Sequence, residues 1–137
     1  MSSHCRPLAV LISTLGKIWA LPNTLLGLVV GLLGFCIAPG VVEIRLGHNA
    51  VCFYGHPFLR GPARGLTLGN VILFQEKRSP DVDSRIGEHE KQHTLQAEVL
   101  GIFYLPLHIL FLAICGPGRK EKNPLERGPY STPPRPW

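Results

Sequence analysis

The stretch GEHEKQHTLQAEVL, residues 87–100, decides the fold expected for this chain of 137 residues. Inside it, His89-Glu90-Lys91-Gln92-His93 is an HExxH motif. On a helix, His89 and His93 lie one turn apart and direct their imidazoles to a common point, as two ligands of a tetrahedral zinc ion do. The stretch therefore predicts a helix with a metal-binding face.

The residues around the motif support that helix. Residues 85–100 carry an apolar stripe at helical spacing and contain no proline, and Asp83 or Ser84 can cap the start. Glu90 is rotated by about 100° from His89 on such a helix. We expect Glu90 to lie beside the open coordination position, where a carboxylate acts as a general base.

Outside the motif, charge is distributed unevenly along the chain. Charged residues make up 17% of the sequence, against roughly 25% in ordinary soluble domains. Residues 7–42 contain one charge, Lys17, and residues 99–118 contain none. This pattern predicts association with a lipid bilayer. The net charge of +5 comes from scattered residues without interleaved aromatics, so we expect no nucleic-acid partner.

The first apolar block predicts an N-terminal helical anchor. Residues 18–42 are long enough to cross the hydrocarbon core, which needs about 20 residues. Pro22 predicts a kink or a new helix start. Gly27, Gly31 and Gly34 fall on one helix face, which favours close approach of another helix, including the second apolar helix of the same chain.

Between the apolar blocks, the pattern changes to that of a small antiparallel sheet. Apolar and charged residues alternate with a period of two from residue 42, and residues 51–54 and 66–74 are rich in strand formers. Turn residues at 47–49 separate the first two strands, and residues 66–74 are either one further strand or a tight hairpin around Gly69-Asn70. A sheet of this size is not stable alone, so it must pack on helices or membrane.

A catalytic zinc ion needs a third protein ligand. The metzincin pattern would place glycine and histidine at Gln96 and Val99, so that class is excluded. Glu98 lies near the opposite face of the helix from His89. Glu126, in the tail, is the candidate third ligand, as a carboxylate from a separate segment. His108 could reach the metal as a ligand only if the chain folded back sharply. His48 and His56, in the strand region, remain open as a ligand or a transition-state donor.

Several motifs resemble those of a group of short bacterial membrane proteins with a zincin-like HExxH helix, a short apolar helix and an Asn-Pro-x-Glu segment. The resemblance extends from Trp19 to Arg127. It rests on Trp19-Ala20-Leu21-Pro22-Asn23-Thr24, Gly69-Asn70-Val71, His89-Glu90-Lys91-Gln92-His93-Thr94-Leu95-Gln96, Leu100-Gly101, Tyr104-Leu105-Pro106 and Asn123-Pro124-Leu125-Glu126-Arg127.

This resemblance implies a gluzincin-like metallopeptidase in the bacterial inner membrane. Zn²⁺ would be held by His89, His93 and Glu126, with Glu90 as base. The fold expected is α+β and membrane-associated, in three parts. Residues 1–42 form the anchor, residues 43–118 a minimal zincin-like domain of small sheet, HExxH helix and short apolar helix, and residues 119–137 a proline-rich tail carrying the third ligand.

The second apolar block sets the topology. If residues 101–115 crossed the membrane, His93 and Glu126 would lie on opposite sides and could not share a metal. Fifteen helical residues extend about 22 Å, short of the roughly 30 Å hydrocarbon core. Either this block spans the membrane and Glu126 is not a ligand, or it enters the membrane, lies at the interface and returns. Its length, Pro106 and His108 favour the second arrangement.

Two main functions are compatible with these patterns, and a third, weaker one is a protein that binds peptides or lipids on the zincin scaffold without turnover. The first is a membrane-associated zinc metallopeptidase that hydrolyses bonds in a peptide or protein substrate through a metal-activated water. The alternative is a non-catalytic accessory subunit, bound to partner membrane subunits, whose zinc site is structural or vestigial.

Overall fold

A computed structural model describes residues 5–61, 64–116 and 122–129 of the protein. Within them the fold is mixed α+β, as predicted. The helices are α1 (Cys5–Trp19), α2 (Leu21–Ile37), α3 (Glu88–Leu100), α4 (Tyr104–Cys115) and α5 (Pro124–Arg127). The strands are β1 (Glu43–Gly47), β2 (Ala50–Tyr54), β3 (Gly65–Leu68) and β4 (Val71–Phe74).

The predicted N-terminal anchor is two helices instead of one. A new helix begins at Leu21, with Pro22 in its first turn, where the missing N–H of proline costs no hydrogen bond. The pair Arg6–Trp19 and Leu21–Ile37 is bent by 65°, and neither helix alone is long and apolar enough to cross a membrane. No single helix therefore covers residues 18–42, but the bent pair taken together is long and apolar enough to be a broken span or a re-entrant loop.

The glycine face of α2 contacts the sheet, where another helix was expected. A Cβ atom on Gly27 would lie 2.7 Å from the Cβ of Val71, and one on Gly31 would lie 2.5 Å from the Phe53 ring. A Cβ atom on Gly34 would lie closer still to the ring of His56. The absence of side chains lets the backbone of α2 approach the sheet closely.

The sheet is mixed, so the prediction of an antiparallel sheet is only partly right. Its order is β1-β2-β4-β3. The β1–β2 and β3–β4 hairpins are antiparallel, but β2 and β4 pair in parallel, with Val51 opposite Val71 and Tyr54 opposite Phe74. Turn residues determine each hairpin locally, whereas the way two hairpins join depends on the packing of the whole chain.

Helices cover both faces of the sheet, as its small size requires. On one face, Phe53, Val71 and Leu73 pack with Leu28 and Val30 of α2. The opposite face forms a second buried cluster, comprising Cys52, Tyr54, Ile72, Phe74 and Val82. Val82 begins the π-helical turn Val82–Gly87 that leads into α3. The core therefore holds α3 in a fixed position against the sheet.

Helical segments follow one another from before α3 to the end of α4, but the chain turns back between them at Gly101, whose φ is +58°. A π-helical turn precedes α3, and a 3₁₀ turn, Gly101–Phe103, joins α3 to α4. Neither predicted cap forms, since the Ser79 hydroxyl accepts the backbone N–H of Val82, and Asp83 accepts the Tyr54 hydroxyl at 2.5 Å. By length and composition, Val82–Cys115 is apolar enough to cross a membrane. Some core helices of soluble proteins meet the same two criteria.

A polar network, called here the Glu98 network, joins α1, both hairpin turns and α3. The Glu98 carboxylate accepts hydrogen bonds from Lys17 at 2.7 Å, Asn49 at 2.7 Å and Asn70 at 2.9 Å. Lys17, the single charge of the first apolar block, is thus paired inside the fold. Asn49 adopts a positive φ of 60° in the β1–β2 turn, which aims its side chain at Glu98.

The division into an anchor, a zincin-like domain and a tail stays a prediction. Much of the predicted tail, residues 119–121 and 130–137, lies outside the described part of the chain.

Candidate metal centre

Helix α3 places the two histidines of the motif side by side. The rings of His89 and His93 have centroids 4.9 Å apart. They lie on the opposite side of α3 from Glu98. His93 is buried, with 3% of its side chain exposed, and His89 is 15% exposed. The helical spacing therefore produces the predicted pair of imidazoles.

A short helix, α5, brings a carboxylate to this pair. The Asn123 side chain accepts the backbone N–H of Leu125 at 3.0 Å and so caps α5, and Pro124 occupies its first turn. Glu126 lies in that turn. Helix α5 has four residues and ends before Gly128.

The distances between the three side chains suit a metal ion. Glu126 Oε2 lies 3.4 Å from Nε2 of His89 and 3.5 Å from Nε2 of His93. Tetrahedral ligands each roughly 2.0–2.1 Å from a zinc ion are about 3.3 Å apart. Within the described residues, Glu126 Oε2 is buried without a hydrogen-bond partner. His89, His93 and Glu126 could therefore hold a metal ion.

Electrostatics keeps the Glu126 carboxylate charged. Burial alone would raise the pKa of Glu126, but the neighbouring imidazoles of His89 and His93 outweigh burial and lower that pKa well below its usual range. A carboxylate that stays ionised is ready to bind a cation without first releasing a proton.

Gln96 connects the two elements that carry the ligands. Its side-chain oxygen lies 2.9 Å from Nδ1 of His93, and its side-chain nitrogen donates to the Leu125 carbonyl at 2.9 Å. Because an amide oxygen only accepts, we assign a proton to Nδ1 of His93, so Nε2, which faces Glu126, is the nitrogen that would bind a metal. In the sequence, Gln96 served only to exclude the metzincin class. Its position three residues after His93, on the same side of a helix, was the pattern that could have predicted this contact.

The Glu90 side chain extends from α3 toward β3, close enough to His93 to act on it electrostatically. Its Oε2 accepts the Thr67 hydroxyl at 2.6 Å, and the residue is 6% exposed. A Cβ atom on Gly65 would lie 2.6 Å from Glu90 Oε1. A glycine at position 65 therefore leaves room for the carboxylate, and Thr67 fixes its direction.

The other histidines divide between the centre and the rest of the fold. His48 pairs with Asp83, and His56 contacts the Val30 carbonyl. Both histidines therefore have partners outside the candidate ligand group. His108, in contrast, has its Nε2 4.0 Å from Glu126 Oε1. The chain reverses sharply enough for this at Gly101, whose φ is +58°.

No protein-family model, curated protein or solved structure matches this chain.

Proposed function

We propose that the protein is a membrane-seated zinc metallopeptidase. The observation that supports this most strongly is the convergence of two imidazoles of α3 and the Glu126 carboxylate of α5, with Glu90 close enough to His93 to act on it electrostatically. Two histidines and one glutamate are a ligand set of catalytic zinc sites, which keep one coordination position open. Nitrogen and oxygen donors without a thiolate fit this assignment.

A zinc ion held by His89, His93 and Glu126 would polarise a peptide carbonyl and lower the pKa of water to about 7. Glu90 is the general base. Its carboxylate takes the proton from the attacking water as the water oxygen bonds to the carbonyl carbon. Glu90 then gives that proton to the amine nitrogen as the C–N bond breaks. The hydrogen bond from Thr67 holds the carboxylate in place for both transfers.

The exposed surface supports a position in a bilayer, which we propose is the bacterial inner membrane. Within Val82–Cys115, only 11% of the most apolar segment of 18 residues is buried, whereas core helices of soluble proteins are mostly buried. Large apolar side chains are also exposed on α1 and α2. Because α4 has 12 residues, about 18 Å, and α5 returns to α3, we propose that α4 enters the bilayer without crossing it. The substrate would then be a peptide or protein segment close to the membrane.

Zinc content and peptide hydrolysis of the purified full chain test the proposal. We expect one equivalent of zinc in the wild type and a loss of zinc in His89→Ala and Glu126→Gln. Glu90→Gln should keep the zinc but lose hydrolysis of a mixed peptide library, by at least about 100-fold. Glu88→Gln, a neighbouring exposed change on α3, is the matched control and should retain both. Less than about a tenth of an equivalent of zinc, unchanged by His89→Ala, would contradict the proposal.

The accessory-subunit alternative retains one supporting observation. The glycine face of α2 no longer favours it, because the sheet of the same chain covers that face. The exposed apolar side chains of α4 fit the surfaces of partner membrane subunits as well as they fit lipid tails. In that case Glu90→Gln would change nothing, and the chain would purify from mild detergent with fixed partners.

A further inference from the structure

His108 is an exception in α4, because its neighbours are apolar and largely exposed. Ile109 and Leu110 have 58% and 49% of their surface exposed, while the side chain of His108 is 15% exposed. Its ring packs against His93, with centroids 5.5 Å apart, and against Tyr104, at 5.7 Å. An imidazole held inward by an apolar, membrane-seated helix indicates a function at the site that it faces.

The two oxygens of the Glu126 carboxylate face different partners. Oε2 lies between His89 and His93, at 3.4 Å and 3.5 Å from their Nε2 atoms. Oε1 is the oxygen nearest to His108, at 4.0 Å from its Nε2. The carboxylate is thus oriented with one oxygen toward the metal ligands and the other toward α4.

The tautomer of His108 follows from its surroundings. Its Nδ1 is buried and finds no hydrogen-bond partner within the part of the chain that the structure describes. An unpartnered buried acceptor is more common than an unpartnered buried N–H. We therefore assign the proton to Nε2, the nitrogen that faces Glu126.

We propose that His108 is a positioning residue of the metal centre, which donates its Nε2–H to Glu126 Oε1 and so makes Glu126 a ligand through Oε2 alone. This rests on the proposed zinc binding. A separation of 4.0 Å is too long for a direct hydrogen bond, so the contact closes by a small rotation of either side chain or through one bridging water. Hydrogen bonds of this kind to ligating carboxylates orient the ligand and tune its affinity for metal.

The contact also couples α4 to the zinc site. His108 is in the middle of α4, and Glu126 is carried by α5, so the interaction joins the membrane-seated helix to the segment that returns from it. The depth of α4 in the bilayer would then affect how firmly Glu126 is held.

Three substitutions at position 108 test the proposal by zinc affinity, measured in competition with a chelator. His108→Leu should weaken zinc binding by 10- to 100-fold, as is typical for loss of an outer-shell partner. His108→Gln places an amide N–H near the position of Nε2 and should restore most of the affinity. His108→Asn, whose amide reaches only to the position of Nδ1, should not.

Controls separate this role from a merely structural one. Ile109→Gln adds the same amide to the neighbouring exposed position and should leave zinc affinity unchanged. Circular dichroism and thermal unfolding of the metal-free variants check that each has folded. Equal zinc affinity in the wild type and His108→Leu would overturn the inference, as would equal recovery by asparagine and glutamine.

Failure of the proposed function would give a different result. If the wild type itself binds no zinc, the metallopeptidase proposal fails. If the wild type binds zinc and His108→Leu binds it as tightly, only the role of His108 fails.

Discussion

At the residue scale, Gln96 is a side chain outside the His89, His93 and Glu126 group that connects the two helices carrying it. It is fully buried and contacts both His93 and the backbone of α5. One amide therefore orients an imidazole and also holds the segment that carries Glu126.

Gln96→Ala should weaken zinc binding by roughly 10- to 100-fold, because His93 loses its orienting partner and α5 loses its attachment to α3. Chelator competition measures this change. Lys91→Ala, on another face of α3, is the control and should bind zinc as the wild type does. Wild-type affinity in Gln96→Ala would show that the contact is incidental.

Two cysteines provide a second prediction at this scale. Cys52 is fully buried in the sheet, and burial raises its pKa to about 11, whereas Cys36 is exposed on α2. At pH 8 only about a thousandth of the Cys52 thiol would be ionised, and the thiolate is the reactive form. Iodoacetamide should therefore modify Cys36 in detergent and leave Cys52 intact until the protein unfolds. Mass spectrometry of digested protein locates the label, and rapid labelling of Cys52 in the folded protein would contradict the packing of the sheet.

The HExxH spacing alone predicted that the imidazoles of His89 and His93 lie side by side, because two residues four apart on a helix share a face. Glu126 followed from its chemistry and from the resemblance. The positions of Gln96 and His108 depend on the sharp turn at Gly101 and on the return of α5. Both are long-range features that no local pattern encodes.

At the element scale, the Glu98 network joins two segments that were predicted to belong to separate parts of the chain, the N-terminal anchor and the zincin-like domain. Lys17 belongs to the predicted anchor and Glu98 to the HExxH helix, yet their side chains are 2.7 Å apart. The Glu98 side chain is 9% exposed and that of Lys17 is 41% exposed, so the carboxylate depends on its partners more than the ammonium does.

Lys17→Met should lower the free energy of unfolding by about 1–3 kcal/mol, because Glu98 keeps a buried charge without its cation. The double variant Lys17→Met, Glu98→Gln should recover most of that loss, since the amide oxygen still accepts from Asn49 and Asn70. Arg85→Met removes an exposed ion pair and serves as the control, with an expected change below about 0.5 kcal/mol. Equal stability of Lys17→Met and wild type in denaturant titrations would contradict this account.

The elements themselves were largely predictable, but their arrangement was not. Alternating apolar residues and turn chemistry predicted the first hairpin and left the second open between a hairpin and a single strand, and Pro22 predicted the start of α2. The parallel pairing of β2 with β4 depends on how α2 and α3 cover the two faces. The glycines of α2 indicated close packing, yet their pattern does not distinguish a helix from a sheet as the partner.

At the scale of the whole molecule, the exposed apolar surfaces of α1, α2 and α4 predict attachment to membranes by apolar contact. The protein should remain with membranes in high salt, which screens electrostatic attraction, and leave only with detergent. Ile114→Asp on α4, where the isoleucine is 70% exposed, should weaken membrane retention. Leu46→Asp, at an 85% exposed position on the sheet, is the control and should change retention little. Sedimentation with liposomes measures both variants, and release of the wild type by salt would contradict the prediction.

The meeting of α3 and α5 has a further consequence for the chain between them. A cation bound by His93 and Glu126 would close residues 93–126 into a loop, much as a covalent crosslink does. Closure removes conformations from the unfolded chain, at a gain that grows slowly with loop length. Helix α4 belongs to that loop, so a bound ion would disfavour complete unfolding of this part of the chain. The amide protons of α4 and α5 that exchange only on such unfolding would then exchange more slowly with the ion bound than without it.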